Sequence, residues 1–457
     1  MLRHSKIGFR RNVVGKSVVV IGAGIAGMSA AFDLQSAGYE VTVIESGNFV
    51  GGRMADQDIN GINVHTGASV IFSFNKAMFD LIDELGISDD LYAFPDKNEG
   101  YNVEHGDETY KLKLTFDPIF LLTHPAFGFK TKAKLAALLP DMIKAGLQTD
   151  PCMMHTAAHL DDENVTDYIT RKVTKEFLEK YVEPYFRAPW HWEPEQISRA
   201  YLLSLLGHIV GGKLLSFKTG IGHLSRTLGN RLDVKLNTRV VEAGYDDSGC
   251  RLTIEHDGAT EAVTCDFVVC AIPGTLVNSV VKGLSTDAEA FFDTVRYNRG
   301  ARIYYAVDGV QLQPRDTWFT RHSACKFSLF YAMPTDSLVP EGFKQPQYLQ
   351  CELSPQLSEA IEKEGGQQRL DSYVRDELER LCPEAAGKVT AVAEQWWDNM
   401  LTEWYPGYTK GMAEFLKQQE DTPARMYFCG DYLSQSHTGG ACASGRGVAA
   451  AIRRHWE

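Results

Sequence analysis

The chain has 457 residues, of which 44% are hydrophobic and 23% charged, and a formal net charge of -13. This is the composition of an ordinary globular protein long enough for more than one domain. The acidic balance excludes a nucleic-acid-binding surface, which must be basic to meet phosphate. Nine cysteines are scattered without a CxxC pair, which fits reduced thiols in a cytoplasmic protein better than a disulfide framework.

The opening "MLRHSKIGFRRNVVGK" is basic but lacks the apolar run of a secretory signal, so it reads as a solvated arm. Val18 to Ile21 is apolar and β-branched and predicts a buried strand ending at Gly22. An Ala-rich helix is expected from Ile25 to Ala37, stopped by a left-handed Gly38, and a second strand from Glu40 to Ile44. Gly22, Gly24 and Gly27 thus form GxGxxG between strand and helix. In that setting Gly22 allows the tight turn, Gly24 the approach of a pyrophosphate, and Gly27 close packing of helix on strand. The phosphates would face the positive end of the helix. Glu45, at the end of the second strand, is placed to accept hydrogen bonds from an adenosine ribose and would repel a 2′-phosphate. Glu45 thereby argues against NADP; NAD and FAD are not separated by this stretch.

Helical patterns dominate from about 76 to 215, as in "KAMFDLIDELG" and "TDYITRKVTKEFLEKYVEPYF", and break at "RAPWHWEPEQIS". Within them "FDPIFLLTHPAFGFK" is the most apolar loop-like stretch, interrupted by Pro118, Pro125 and Lys130. It is expected to pack into the core, with contact to a membrane or a greasy substrate as the alternative. Arg187, in the helical substrate region, is expected to be an exposed structural arginine, with contact to an acidic group as the alternative. His155 and His159 are four apart, but HExxH lacks its Glu here and no third ligand is indicated, so no metal site is expected. Strands follow at Val234–Leu236, Arg239–Gly244, Arg251–Glu255 and Phe267–Ile272. The section from 291 to 395 mixes strands such as "ARIYYAV" with a helix at "DSYVRDELERL". The last segment, "MYFCGDYLSQSHTGGACASGRGVAAAIRRHWE", reads as strand, turn and Ala-rich helix. No window reaches the length of a membrane span, and no GxSxG elbow supports a hydrolase. The nucleotide domain is expected to be discontinuous, from 15–75, 216–290 and 396–457, with an α+β substrate domain from 76–215 and 291–395.

Four ordered stretches carry a family resemblance: the GxGxxG unit with Glu45, "GGRM" at Gly51 to Met54, "NTRVVEAGYDDSGCRLTI" leading to "DFVVCAIP", and "YFCGDYLSQSHTGGACASGRGVAAAI". With them the sequence resembles the flavin-dependent amine oxidase and protoporphyrinogen oxidase superfamily. The resemblance implies an α/β fold with a Rossmann-like FAD-binding domain, and FAD rather than NAD. It places Arg53 near the flavin and its phosphates, the Val240 backbone on adenine, and Asp431, after the tight Gly430, on ribityl hydroxyls. The last helix, starting near Gly439 to Ala441, would bring its dipole to the reduced flavin. Ala23, Ser46, Gly52, Gly67, Ala68, Ser69, Thr438 and Gly440 complete the implied cofactor contacts. The bland alternatives are a salt-bridged Arg53, a turn-capping Asp431 and a glycine-lined packing contact.

Amine oxidases of this superfamily carry a Lys on a strand beyond mid-chain, holding a water near the flavin. In "YNRGARIYYAVD" that place is taken by Arg302, which is always charged and suited to binding a carboxylate or carbonyl. His437 stands where the family places one wall of an aromatic cage; Trp404 and Tyr405 could supply another. Arg302 and His437 are the catalytic candidates; the bland alternatives are a structural ion pair for Arg302, a satisfied loop histidine for His437 and a core position for Trp404. No Cys precedes "WYPGY" where covalently flavinylated relatives carry theirs, so noncovalent FAD is expected. The implied activity is hydride transfer from an amine, an imine-type ring or a related small molecule, with oxygen as acceptor. Rivals are an FAD-dependent desaturase or isomerase and, outside enzymes, an escort protein of the same fold.

Overall fold

The structure is a computed structural model and describes residues 15–94, 100–113, 116–334 and 346–457. The basic leader before residue 15 lies outside the described residues. A five-stranded parallel sheet runs in the order Asp233–Lys235, Glu40–Ile44, Ser17–Ile21, Phe267–Cys270 and Met426–Phe428. Its central strands are apolar without alternation because both faces are covered, one by helices at the two ends of the chain and the other by an antiparallel meander built from residues 238–265. Gly22 turns at φ +102° out of the first strand. A β-carbon on Gly27 would lie 2.1 Å from the Gly22 carbonyl oxygen, so only glycine lets the Ile25–Ser36 helix approach its strand. The Thr438–Trp456 helix packs as tightly: a β-carbon on Gly445 would sit 2.0 Å from the Ala26 oxygen. Both chain ends therefore build one sheet and one helical layer.

Thr238–Asp246, Gly249–His256 and Ala259–Cys265 form an antiparallel meander, joined at its edge by Val281–Lys282. The third strand escaped the sequence reading because it is almost wholly exposed and lacks an apolar alternation. A seven-stranded mixed sheet has the order Val389–Trp397, Gly300–Val307, Tyr348–Leu353, Phe327–Met333, Arg315–Phe319, Tyr101–His105 and Glu108–Leu112. Its first strand runs through Trp397, past the boundary drawn at 395/396. Leu214–Phe217 likewise crosses the boundary at 215/216, pairing with Ile71–Phe72 and Leu91–Ala93.

The helices between 118 and 209 form a further layer, and Pro355–Lys363 and Asp371–Leu381 pack on the seven-stranded sheet. Asp117, Asn164 and Ser198 cap the Pro118–Thr123, Val165–Lys172 and Arg199–Ile209 helices through their side-chain oxygens. Two expectations need correction here. Of the apolar stretch, Phe116, Leu121 and Phe127 are buried, but Ile119, Leu122 and Phe129 stand in solvent. Helices this short bury one face only, and this sequence is apolar on both. Arg187 is buried, not exposed, bonded to Glu193 and, at 2.9 Å, to Gln356.

Candidate active site

A single cleft of about 1870 Å³ runs from the GxGxxG turn to the seven-stranded sheet. That exceeds the roughly 300–1,000 Å³ of an ordinary small-molecule pocket and has room for a dinucleotide and a second ligand. At one end lie Gly22, Gly24, Glu45, Ser46 and Val240. Gly24 caps the Ile25–Ser36 helix without a side-chain bond, and no acid stands in the first turn. A β-carbon on Gly24 would meet nothing within 4 Å: the backbone is bare toward the cleft, as phosphate approach requires. Glu45 accepts the Ala23 N–H at 2.8 Å and the Gly47 N–H at 2.7 Å. The Ser46 hydroxyl donates to it as well, at 3.3 Å, and these three bonds leave a carboxylate with acceptor capacity for a ribose diol. Ala23 and Gly27 are behind the turn: Ala23 is fully buried and orients Glu45, while Gly27 serves packing.

In mid-cleft Arg53 and Asp431 grip each other, with bonds of 2.9 and 2.6 Å. Arg53 also donates to the Met400 carbonyl at 2.7 Å, and Thr402 donates to Asp431 at 3.1 Å. Burial opposes the charge on Arg53, but Asp431 outweighs it and raises the guanidinium pKa. The salt-bridged alternative for Arg53 is thus realised, with both partners still lining the cleft beside Gly52 and Gly430. Gly67, Ala68 and Ser69 line the facing loop, and the Ala68 N–H donates to the Arg53 oxygen at 2.8 Å.

The N-terminus of the Thr438–Trp456 helix presents Thr438 and Ala441 to the cleft. The Thr438 hydroxyl is buried without a hydrogen-bond partner, an orphan that calls for a ligand. Gly439 and Gly440 differ from expectation: their β-carbons would strike Asn75 at 2.1 Å and Gln435 at 2.6 Å, so they serve close packing beneath the helix end.

The inner wall carries Arg302. Antiparallel register places it opposite Glu352, and the side chains close at 2.7 Å. Gln350 donates to the same carboxylate at 2.9 Å, and His191 Nε2 lies 2.8 Å from its other oxygen. Burial alone would raise Glu352, but the Arg302 charge and the His191 and Gln350 bonds hold it at about 2. The guanidinium also lies 5.4 Å from the Trp397 ring centre, and its Nε has no partner. The structural ion pair foreseen as the alternative for Arg302 is present, and Arg302, Gln350 and Glu352 all line the cleft.

His437 lines the cleft with both ring nitrogens engaged. Nδ1 accepts the Gly440 N–H at 2.9 Å, capping the last helix, and Nε2 lies 2.9 Å from the Pro151 oxygen. Burial lowers its pKa to about 4, so the ring is neutral and can offer the cleft only its surface, beside Phe72 and Phe74. Trp404 and Tyr405 do not form a wall: Trp404 is fully buried, donating to Ser436 at 2.8 Å, and the Tyr405 hydroxyl donates to the Thr294 oxygen. The Trp side chains at the cleft are Trp190, Trp396 and Trp397.

Sequence reading missed His65, Gln350 and Glu352. His65 lines the cleft with Nδ1 unpartnered, and burial, helped by the Arg302 charge, lowers its pKa to about 4. Alternation of Tyr348, Gln350 and Glu352 against Leu349, Cys351 and Leu353 was the available signal: a strand buried on both faces with an acid on one. Among the described residues no cluster of three or more His, Cys, Asp or Glu could hold a metal ion.

Comparison with known proteins agrees with this geometry. The sequence model described as flavin containing amine oxidoreductase matches residues 25–453. Zeta-carotene desaturase of Synechocystis sp. is 25% identical over 95% of this chain and 96% of its own length. Protoporphyrinogen oxidase 2 of Arabidopsis thaliana is 26% identical over 41% of this chain, spanning 35% of that protein. A putrescine oxidase structure bound to putrescine superimposes with a TM-score of 0.70 at 20% identity, over 96% of this chain and 99% of that one. At that identity the likeness concerns the fold.

Proposed function

The chain belongs to the flavin-containing amine oxidoreductases, and from that premise we propose that it holds FAD noncovalently and oxidises a small, largely apolar organic substrate, an amine or imine-type ring, with oxygen as electron acceptor. The observation that carries this reading is the one cleft joining a dinucleotide turn to an aromatic wall bearing Arg302. Gly22, Gly24 and the helix behind them would take the pyrophosphate, Glu45 the adenosine ribose, and the Val240 backbone the adenine. Arg53 and Asp431 would meet phosphate and ribityl groups, and Thr438 and Ala441 the far end of the flavin. None of the nine cysteines, all buried, lines the cleft, which supports a noncovalent cofactor.

When bound, FAD supplies the two-electron chemistry; the protein supplies orientation, field and exclusion of water. Glu352 balances the charge of Arg302, and His65 and His437 are neutral above about pH 4. These four side chains therefore add no net charge to the wall, which suits an amine or imine taken in its uncharged form. Arg302 keeps its proton at every working pH, so its role is to anchor a substrate oxygen or carboxylate, while His65 offers a neutral hydrogen-bonding partner.

The apolar side chains of the same wall, among them Leu329, Tyr331, Met333 and Trp190, also suit double-bond chemistry on a hydrocarbon, and a fixed Arg302 in place of a proton-exchanging Lys favours this second reading. One experiment separates the two. The yellow protein is mixed anaerobically with amines, amino acids, pyrrolines and porphyrinogens, and then admitted to air. Flavin bleaching followed by stoichiometric peroxide is the expected result; bleaching without peroxide would favour a desaturase. A colourless protein that cannot be reconstituted with FAD would overturn both and favour an escort role.

A further inference from the structure

Single exposed apolar side chains are common on protein surfaces and call for no explanation. Those of this chain are clustered. Ile119, Leu122, Phe129, Leu139, Ile143 and Leu147 stand on three consecutive helices, Pro118–Thr123, Phe129–Leu135 and Leu139–Gln148. Phe129 is 88% exposed, Leu147 83% and Ile119 76%. Each helix has its own buried set, Leu121 on the first, Thr131 and Leu135 on the second, Met142 and Ala145 on the third. The exposed residues therefore form a second apolar face turned to solvent. The third helix crosses Arg199–Ile209 so closely that a β-carbon on Gly146 would lie 2.7 Å from the Gly207 oxygen. Leu147 and the exposed Val210 flank that crossing.

The charge of this face differs from that of the whole. From Pro118 to Gln148 there are four lysines, Lys130, Lys132, Lys134 and Lys144, and one acid, Asp141, in a chain of net charge -13. Asp141 is already held by Lys172 at 2.8 Å and Tyr168 at 2.6 Å. The face also borders the cleft: Phe116, Asp117 and Pro118 at the start of the first helix, and Val210, Gly211 and Lys213 after the crossing, line its wall.

We propose that the three-helix face from Ile119 to Leu147 is a docking surface for an anionic lipid bilayer. Phe129, Ile143 and Leu147 enter the headgroup layer and the lysines meet lipid phosphates, the arrangement by which apolar and basic residues bind membrane surfaces without spanning them. No helix among the described residues is long and apolar enough to cross a membrane. Charge complementarity selects the bilayer over a second copy of the chain: self-pairing of one face sets lysine against lysine, whereas lipid phosphate neutralises them. With the cleft wall at its border, a docked molecule takes an apolar substrate directly from the bilayer; this last step rests on the function proposed above, and the docking itself does not.

The test uses the purified full chain and sedimentation with vesicles, without any turnover. Binding is expected to vesicles of phosphatidylcholine with one-third phosphatidylglycerol, to weaken in high salt, and to be poor with phosphatidylcholine alone. Phe129→Glu with Leu147→Glu should lower partitioning by roughly tenfold or more, and Lys130→Ala and Lys134→Ala by about fivefold each. Val241→Glu, at an exposed apolar residue outside the face, should change nothing. Because all nine native cysteines are buried, Phe129→Cys can be labelled selectively with a polarity-sensitive dye. A blue shift on adding anionic vesicles supports the proposal even if the Glu variants fold poorly. Absence of binding, binding unaffected by the face variants, an unshifted dye, or concentration-dependent dimers in place of vesicle binding would each overturn it. Failure to find a substrate would leave these readouts untouched.

Discussion

Arg302 and Glu352 stand directly opposite each other on adjacent antiparallel strands, with their side chains 2.7 Å apart and His191 bonded to the carboxylate from the far side. The pair is both a structural tie and part of the cleft wall, and the two roles separate by mutation.

Arg302→Met removes the cation that balances buried Glu352, leaving it only the Gln350 and His191 bonds, a loss of about 3–5 kcal/mol, whereas Arg302→Met with Glu352→Gln should recover much of that stability. If Arg302 positions substrate, the stabilised double variant still reduces its flavin slowly in a single turnover, and Arg302→Lys lies between it and the wild type because it keeps charge but loses the fork. Recovery of wild-type reduction in the double variant would confine Arg302 to the structural role.

Gly24 and Gly27 should respond oppositely to alanine. Gly24→Ala places its methyl in open cleft, so the melting temperature of the flavin-free protein should hold while FAD affinity falls roughly tenfold or more. Gly27→Ala drives a methyl to 2.1 Å from a backbone oxygen and should cost about 3 kcal/mol or more of stability. Equal effects of the two on melting would remove Gly24 from the phosphate site.

Glu45→Ala and Asp431→Ala should each weaken FAD retention on dilution, by roughly tenfold or more. Asp431→Ala also frees Arg53 from its carboxylate, so it should lower the melting temperature as well. Acid precipitation of the wild type should leave a colourless pellet and free FAD; a yellow pellet would show a covalent link.

Stability should fall on acidification in two stages. His65 and His437, at about 4 in the fold against an ordinary 6.5, bind protons in the unfolded chain first, so stability is lost as pH falls from 6.5 toward 4. Glu352, at about 2 against 4.5, loses its contribution below pH 4.5. His437→Asn keeps a capping oxygen but removes one titrating group, and should flatten the first stage in melting curves taken across that range. An unchanged slope would show that His437 does not titrate as its burial requires.

The nucleotide end of the cleft was legible in sequence because its signals are local. Gly22, Gly27, Gly38 and Glu45 act within one βαβ unit, and the first strand, helix and second strand fall within a residue of expectation. The inner wall was not. Arg302 could be found, but its partner Glu352 is fifty positions on, and only strand register joins them. His437 could be placed at the wall, but its capping of the last helix could not be read, because capping by histidine leaves no sequence signature. Trp404 and Tyr405 were candidates for a wall at which Trp396 and Trp397 stand, since which aromatic reaches a cleft depends on where a strand ends. The outward face of Ile119, Leu122 and Phe129 was taken for core because apolar periodicity does not say which of two faces is covered.

The parallel sheet has a consequence for synthesis. Ser17–Ile21 needs Phe267–Cys270 beside it, which in turn needs Met426–Phe428, and the first helix needs the last. At about 5–20 residues per second, the opening strand waits roughly twenty seconds to more than a minute for its final neighbours. Throughout that time the central strands are unpaired at one edge and apolar on both faces, the state most prone to aggregate. The cleft, lined by residues from Ile21 to Ala441, therefore cannot be completed until the last of these segments has been made.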